Sequence, residues 1–338
     1  MYTWIRGSDT KKGVVLLQNR LDEALEACMN VVKDSFALRK GEVFLTVVHS
    51  DHDGEIAELF SACANSLGAS ASTVKIVGGG YNQEPDKAVI AAMGKADVVL
   101  ALCPIGKTKA EAKARQGGAR ILHAPFLKRD ILIRLMKADV DSIMRKAKTF
   151  EEKLAAAKRF RMASDIGTDF EVDISGKRAF TNDGTAREKG KGDIIPPAQV
   201  GIAPVKGTGN GVIVADGCVR PGGVVANPVV LEVKDGFIVR FSGGSEAKLV
   251  ENYVKSFGDK ATFACPAHIG PGMNPKAILS DSLLEAERVE GHITVGIGKN
   301  DDIIDGDISA NGHTDVTLTT PDVFLDDEKV IEKGKLLI

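Results

Sequence analysis

The sequence predicts an α/β protein of two parts, and three observations carry that prediction. Through the first half, short β-branched apolar runs alternate with stretches of helical periodicity; near residue 155 the alternation stops; beyond it, short strands follow one another with turn residues between them. Strands alternating with helices imply crossover connections and a parallel sheet, whereas strands joined by tight turns pair antiparallel. A chain of 338 residues also exceeds what one ordinary core serves. The expected fold class is therefore α/β: a Rossmann-like parallel-sheet domain over residues 1–155, then a β-rich α+β domain over residues 156–338.

Each element has its own signal. Leu21, Leu25, Cys28, Val32 and Phe36 recur at three- and four-residue intervals and form one stripe of an opening helix. Strands are expected at 43–48, 73–77, 98–102 and 120–123, and helices at 54–67, 86–94, 108–115 and 128–138. The charged, alanine-rich stretch 149–162 reads as a solvated helix bridging the two domains. Past it, strands are expected at 170–174, 211–214, 229–233 and 237–241, the last two joined by a hairpin turn at Lys234-Asp235-Gly236. One helix, 246–257, interrupts them, with Ser245 as expected N-cap and Gly258 placed to end it.

Charge and cysteine usage narrow the class of function. Against 46 acidic residues there are 44 basic ones, a net charge of -2, so no field draws in nucleic acid or anionic lipid. Small-molecule chemistry remains. The five cysteines are scattered, odd in number and never spaced Cys-x-x-Cys, which points to a reducing cytoplasm. Met1 to Gly13 is polar with no apolar core of signal-peptide length, and the longest apolar run, Val98 to Ile105, is far short of a membrane span. A homo-oligomer is the expected assembly.

Three of the six histidines, His268, His292 and His313, fall in the last quarter of the chain beside residues that suit a site. In Gly312-His313-Thr314-Asp315-Val316 a strand would send His313 and Asp315 to one face, because strand side chains alternate with period two. His268 lies in Cys265-Pro266-Ala267-His268-Ile269-Gly270-Pro271-Gly272-Met273-Asn274-Pro275, whose glycines and prolines exclude regular structure and favour a site loop. Two imidazoles and one carboxylate can cap one face of a metal ion and leave positions open for substrate and oxygen, as in non-haem iron(II) oxygenases; the same donors suit zinc. The plainer reading is a hydrogen-bonded surface pair, His313 with Asp315, and a loop histidine packed on Pro266.

These segments also carry a resemblance. Residues 268–275 resemble the Glu-Leu-Gly-Ile-Gly-x-Asn-Pro motif of the thermophilic metalloaminopeptidases, the aminopeptidase T family, with His268 where that family has a liganding Glu. His292-Ile293-Thr294-Val295-Gly296 resembles the element around a further histidine ligand, and His313-x-Asp315 the closing His-x-Asp. Pro197-Ala198-Gln199-Val200, followed by Ala203-Pro204, resembles Pro-x-Gly-Glu-Val-x-x-Ala-Pro, with Gln199 in place of another liganding Glu. Lys40-Gly41-Glu42 and Gly118-Ala119-Arg120 resemble family landmarks as well. Two-metal peptide hydrolysis needs anionic ligands that Gln199 and His268 no longer supply. What remains is similar to the 2,5-dihydroxypyridine 5,6-dioxygenases, relatives of these aminopeptidases. That resemblance implies iron(II) held by His268, His313 and Asp315, with an aromatic substrate and dioxygen as partners. No histidine stands between His123 and His268, where such enzymes are expected to place pocket histidines, so His292 is the nearest candidate for a catalytic base. The alternatives are an aminopeptidase-like hydrolase with one zinc or other divalent ion, and a non-catalytic binding protein on the same scaffold.

Other features carry less. Lys206-Gly207-Thr208-Gly209-Asn210-Gly211 precedes a strand rather than the helix N-terminus that anion binding requires, so it reads as a loop. Gly78-Gly79-Gly80 lacks dinucleotide spacing and reads as a turn. His49, Asp51, His52 and Asp53 read as a strand-to-helix loop, Cys103 has no partner base, and Asp301, Asp302, Asp305 and Asp307 lack calcium-loop spacing.

Overall fold

The computed structural model describes residues 20–50, 54–77, 83–105 and 108–338. His52 with its neighbours Asp51 and Asp53, and the Gly78-Gly79-Gly80 run, lie outside the described residues. The chain divides into two units, Met1–Lys137 with Gly184–Pro196, and Ala138–Asp183 with Pro197–Ile338. A single boundary at 155 was expected from the sequence.

In the first unit the opening helix (α1) runs through residues 20–30 into a π-helical turn, Val31–Ser35, that buries Val31 and Val32. Strands and helices then alternate: β1 (Val43–His49), α2 (Gly54–Ser66), β2 (Ser70–Ile76), α3 (Lys87–Met93), β3 (Val98–Leu102), α4 (Lys109–Gln116), β4 (Arg120–His123) and α5 (Arg129–Met136). All pair parallel in the order β2-β1-β3-β4-β8, where β8 is Gly192–Ile194, returning from later in the chain. A three-residue strand holding Gly and Asp has no apolar run to announce it, so the sequence did not predict β8. Asp86 and Thr108 cap α3 and α4 with their side chains, satisfying amides that a helix start leaves open. The two sequence landmarks meet: Arg120, buried, donates to Glu42 Oε2 at 2.5 Å and to the carbonyl oxygen of Phe36 at 2.5 Å. Burial pushes the Cys103 thiol up to about 12, so it stays protonated, consistent with its having no nucleophilic role.

The second unit opens with α6 (Val140–Ala156), whose Ile143, Ala147, Phe150 and Leu154 face a core shared by two antiparallel sheets. Here the bridging-helix expectation over 149–162 is corrected. The helix stops at Ala156, and Arg159–Ala163 is a strand (β5), because Phe160 and Met162 alternate with arginines and both are fully buried on one face. The remaining elements are β6 (Asp169–Asp173), β7 (Ala179–Asn182), β9 (Gln199–Ile202), β10 (Asn210–Ala215), β11 (Cys218–Val219), β12 (Gly223–Val224), β13 (Val229–Lys234), β14 (Phe237–Ser242), α7 (Gly244–Ser256), β15 (Ile269–Pro271), α8 (Leu283–Ala286), β16 (Ile293–Gly298), β17 (His313–Leu318), β18 (Asp322–Leu325), β19 (Glu328–Glu332) and β20 (Lys335–Leu336). One sheet has the order β14-β13-β10-β6-β5-β18-β19-β20, the other β12-β11-β17-β16-β15-β9-β7. The β13–β14 turn has Asp235 at φ +50° and Gly236 at +73°, the doubly positive pair that a two-residue hairpin turn demands. Gly243, not Ser245, caps α7; at φ +116° its missing Cβ lets the chain pass Pro228. Among the described residues no helix is long and apolar enough to cross a membrane.

Candidate metal centre

Three neighbouring strands of the seven-stranded sheet build the centre. In β16, Gly296 pairs with Asp315 of β17, and Gly298 with His313. On the other side, the Ala267 amide donates to the Gly296 carbonyl and the Gly296 amide to the His268 carbonyl, so the β15 pairing extends back to His268. Asp315, Gly296 and His268 thus form one row across the sheet. His313 lies two residues from Asp315 on the same face, as the period-two argument expected.

The side chains meet. His268 Nε2 lies 2.9 Å from Asp315 Oδ1, and His313 Nε2 lies 3.1 Å from the same oxygen. The two imidazoles stack at 5.3 Å between centroids with 20° between planes. One ligand atom from each residue falls within 4.8 Å of the others. All three side chains are buried or half-buried, and Phe180 stands edge-on to His268 at 5.9 Å.

The hydrogen-bonding pattern tests whether these donors fit a cation. His313 Nδ1 donates to the Lys299 carbonyl at 2.7 Å, so a neutral ring presents a lone pair at Nε2. That lone pair faces a carboxylate oxygen, another acceptor. Two acceptors at 3.1 Å attract only through a cation between them, a proton or a metal ion. Separations of 2.9 and 3.1 Å match the edge of about 3 Å between cis ligands whose bonds to a metal are about 2.1 Å. His268 Nδ1, buried, has no hydrogen-bond partner among the described residues, which leaves Nε2 as that ring's working atom. With protons as the bridging cations and no metal bound, burial opposes ionisation of Asp315, but the charge of a protonated His313 and the hydrogen bonds from His268 and His313 outweigh it and hold the carboxyl well below its usual range. The donor set of two neutral imidazoles and one carboxylate fits a single divalent ion.

The other residues singled out in the sequence fall elsewhere. His292 precedes β16 at the end opposite Gly298 and does not join the convergent group; its charged neighbour is Asp216. The strand register places His313 opposite Gly298, at the other end of β16 from His292. Gln199 is buried on β9, opposite Gly272 across an isolated bridge. Sequence reasoning missed Glu287, which follows α8. Burial pushes its carboxyl up and Asp315 adds to that, while Arg288, Arg220 and His268 pull it down, so its field is shared with the centre. Arg288 Nη1 donates to it at 2.9 Å. A glutamate beside an arginine is the commonest of surface patterns, and nothing in the sequence distinguished it.

Residues 23–338 match the family model described as 2,5-dihydroxypyridine 5,6-dioxygenase (NicX). The chain belongs to that family. A curated relative, the 2,5-dihydroxypyridine 5,6-dioxygenase of Pseudomonas putida KT2440, is 26% identical over 262 residues, which are 73% of this chain and 72% of that protein. The solved structure of 2,5-dihydroxypyridine dioxygenase from Pseudomonas putida KT2440 shares the fold with a TM-score of 0.79 at 22% identity, covering 93% of this chain and 96% of that one. Wild-type AmpT from Thermus thermophilus shares it with a TM-score of 0.66 at 15% identity, covering 94% and 99%. Family membership makes the chain an oxidoreductase of the dioxygenase kind, on a fold that the aminopeptidase also uses.

Proposed function

We propose that the protein is a mononuclear iron(II) dioxygenase that cleaves the ring of a hydroxylated aromatic or heteroaromatic compound such as 2,5-dihydroxypyridine, with His268, His313 and Asp315 as the metal ligands. The observation that carries this reading is the meeting of two imidazole Nε2 atoms at one carboxylate oxygen, in a family whose relatives are named for that reaction. Neutral Gln199 and the imidazole of His268, in place of the carboxylates that a two-metal hydrolase needs, favour one ion over two.

Iron(II) held there would supply Lewis acidity and electrons to dioxygen while bringing it beside the substrate. The chain's own part is positional and electrostatic. The Lys299 carbonyl fixes the tautomer of His313, which directs the Nε2 lone pair toward the centre. Asp315 contributes the single fixed negative charge, and Phe180 packs the outer edge of His268 against water. Glu287, rather than His292, is assigned the proton from the substrate hydroxyl, since its carboxyl shares the field of Asp315 and burial raises its basicity.

Oxygen uptake tests the function. Protein loaded with iron(II) under anaerobic conditions is expected to consume one dioxygen per substrate with at least one member of a panel of hydroxypyridines and catechols, placing both oxygen atoms in an open-chain product. Stoichiometric zinc in the purified protein, with no uptake from any ring after iron loading, contradicts it.

A further inference from the structure

We propose that Gly296 is a positioning residue of the centre: the absence of a side chain on the middle strand is what lets His268 reach across to Asp315. The inference rests on the metal-centre reading above and extends it to a residue that touches no metal. His268 and Asp315 belong to strands on either side of β16, separated by two interstrand spacings, roughly 9–10 Å. Side chains in one cross-strand row normally stand side by side and cannot meet over the residue between them. Here the residue between them is glycine, and the His268 ring occupies the space its side chain would fill. A Cβ on Gly296 would lie 2.5 Å from His268 Cδ2 and 2.7 Å from Nε2. Both separations are far inside van der Waals contact, and the atoms met belong to the edge of the ring that carries the ligand nitrogen.

The same device recurs two strands away. Gly201 of β9 pairs with Phe180 of β7, and a Cβ there would lie 2.6 Å from Phe180 Cζ. The Phe180 ring therefore lies down over β9 and stands edge-on to His268. Across these strands, side chains and glycines alternate in the order Asp315, Gly296, His268, with Gly201 and then Phe180 in the adjoining row. His268 is held between Phe180 on one side and the open floor of Gly296 on the other. Metal ligation tolerates errors of about 0.2 Å in bond length. A methyl group that drives the ring aside by more than that removes Nε2 from its place.

A double-mutant cycle with two readouts tests this. Chelator-treated wild type, Gly296→Ala, His268→Ala and the His268→Ala/Gly296→Ala double variant are compared by thermal unfolding, and wild type and Gly296→Ala by anaerobic titration with iron(II). The expected results are a loss of iron(II) affinity of about 10- to 100-fold in Gly296→Ala, a lowered melting temperature in the wild-type background, and little or no lowering in the His268→Ala background, where no ring remains to be met. Undiminished iron(II) affinity in Gly296→Ala overturns the proposal, as does an equal thermal cost in both backgrounds. Should wild type itself bind no iron(II), the metal-centre reading fails on its own, and the thermal cycle, run without metal, still decides whether Gly296 makes room for His268.

Discussion

At the scale of single residues, the proposed mechanism assigns some groups to hold charge and others to move it. In the metal-free protein protonated imidazoles keep Asp315 ionised, whereas Glu287 is pushed toward the neutral acid by burial and by Asp315 itself. Two carboxyl groups in one field with pKa values driven apart are suited to different tasks, one as ligand and one as proton acceptor. The Glu287→Gln variant is therefore expected to keep iron(II) affinity within about threefold while turnover falls by about 100-fold or more, the range general base catalysis supplies; equal losses in both would make Glu287 a structural support. His292 belongs to a different account. Burial lowers its pKa from the usual 6.5, with Asp216 opposing. The folded state then binds this proton less readily than the unfolded chain, so its penalty is absent above about pH 6.5 and grows as pH falls toward the folded value. Metal-free protein should lose melting temperature between about pH 7 and 5.5, and His292→Gln should flatten that loss. A variant as pH-sensitive as wild type would show that His292 titrates alike in both states.

At the scale of elements, what the sequence could show depended on how local its cause was. Period-two alternation put His313 and Asp315 on one face of β17, and both lie there. His268 was legible from its residue type, but the loop expected around it is in part a strand, Ile269–Pro271, because its pairing with β16 joins residues far apart in sequence. Gly296 gave no signal because its role is the absence of a side chain, visible only once the flanking strands are known. The helix expected over 149–162 ran too far for a similar reason: alternating arginines resemble a solvated helix face until the burial of Phe160 and Met162 shows a strand. Lys40-Gly41-Glu42 and Gly118-Ala119-Arg120 stood out as motifs without a mechanism, and the buried pair of Arg120 with Glu42 supplies one. Glu42→Ala leaves the buried guanidinium with backbone carbonyls alone, and a loss of about 2–3 kcal/mol in chemical denaturation is expected, below the full cost of a broken buried pair because Glu42 is partly exposed. A change under about 0.5 kcal/mol would mean the carbonyl contacts suffice.

At the scale of the whole molecule, the two units carry unequal shares of the chemistry. The convergent ligand group found among the described residues lies entirely in the second unit, supported by two antiparallel sheets around one apolar core. A likeness of 0.66 in TM-score to an aminopeptidase shows that this scaffold is not tied to one reaction. In the present chain two imidazoles and one carboxylate converge on this scaffold. An ion that binds only the folded unit must also stabilise it, by about 2.7 kcal/mol at a free concentration one hundred times its dissociation constant. The most direct test is an anaerobic titration of metal-free protein with iron(II), followed by both bound stoichiometry and melting temperature, in wild type and in Asp315→Asn. The predicted result is one ion per wild-type chain with a rise of about 5–10 °C, and at least about 100-fold weaker binding with no such rise in the variant. Equal binding by both proteins, or none by wild type, would contradict it.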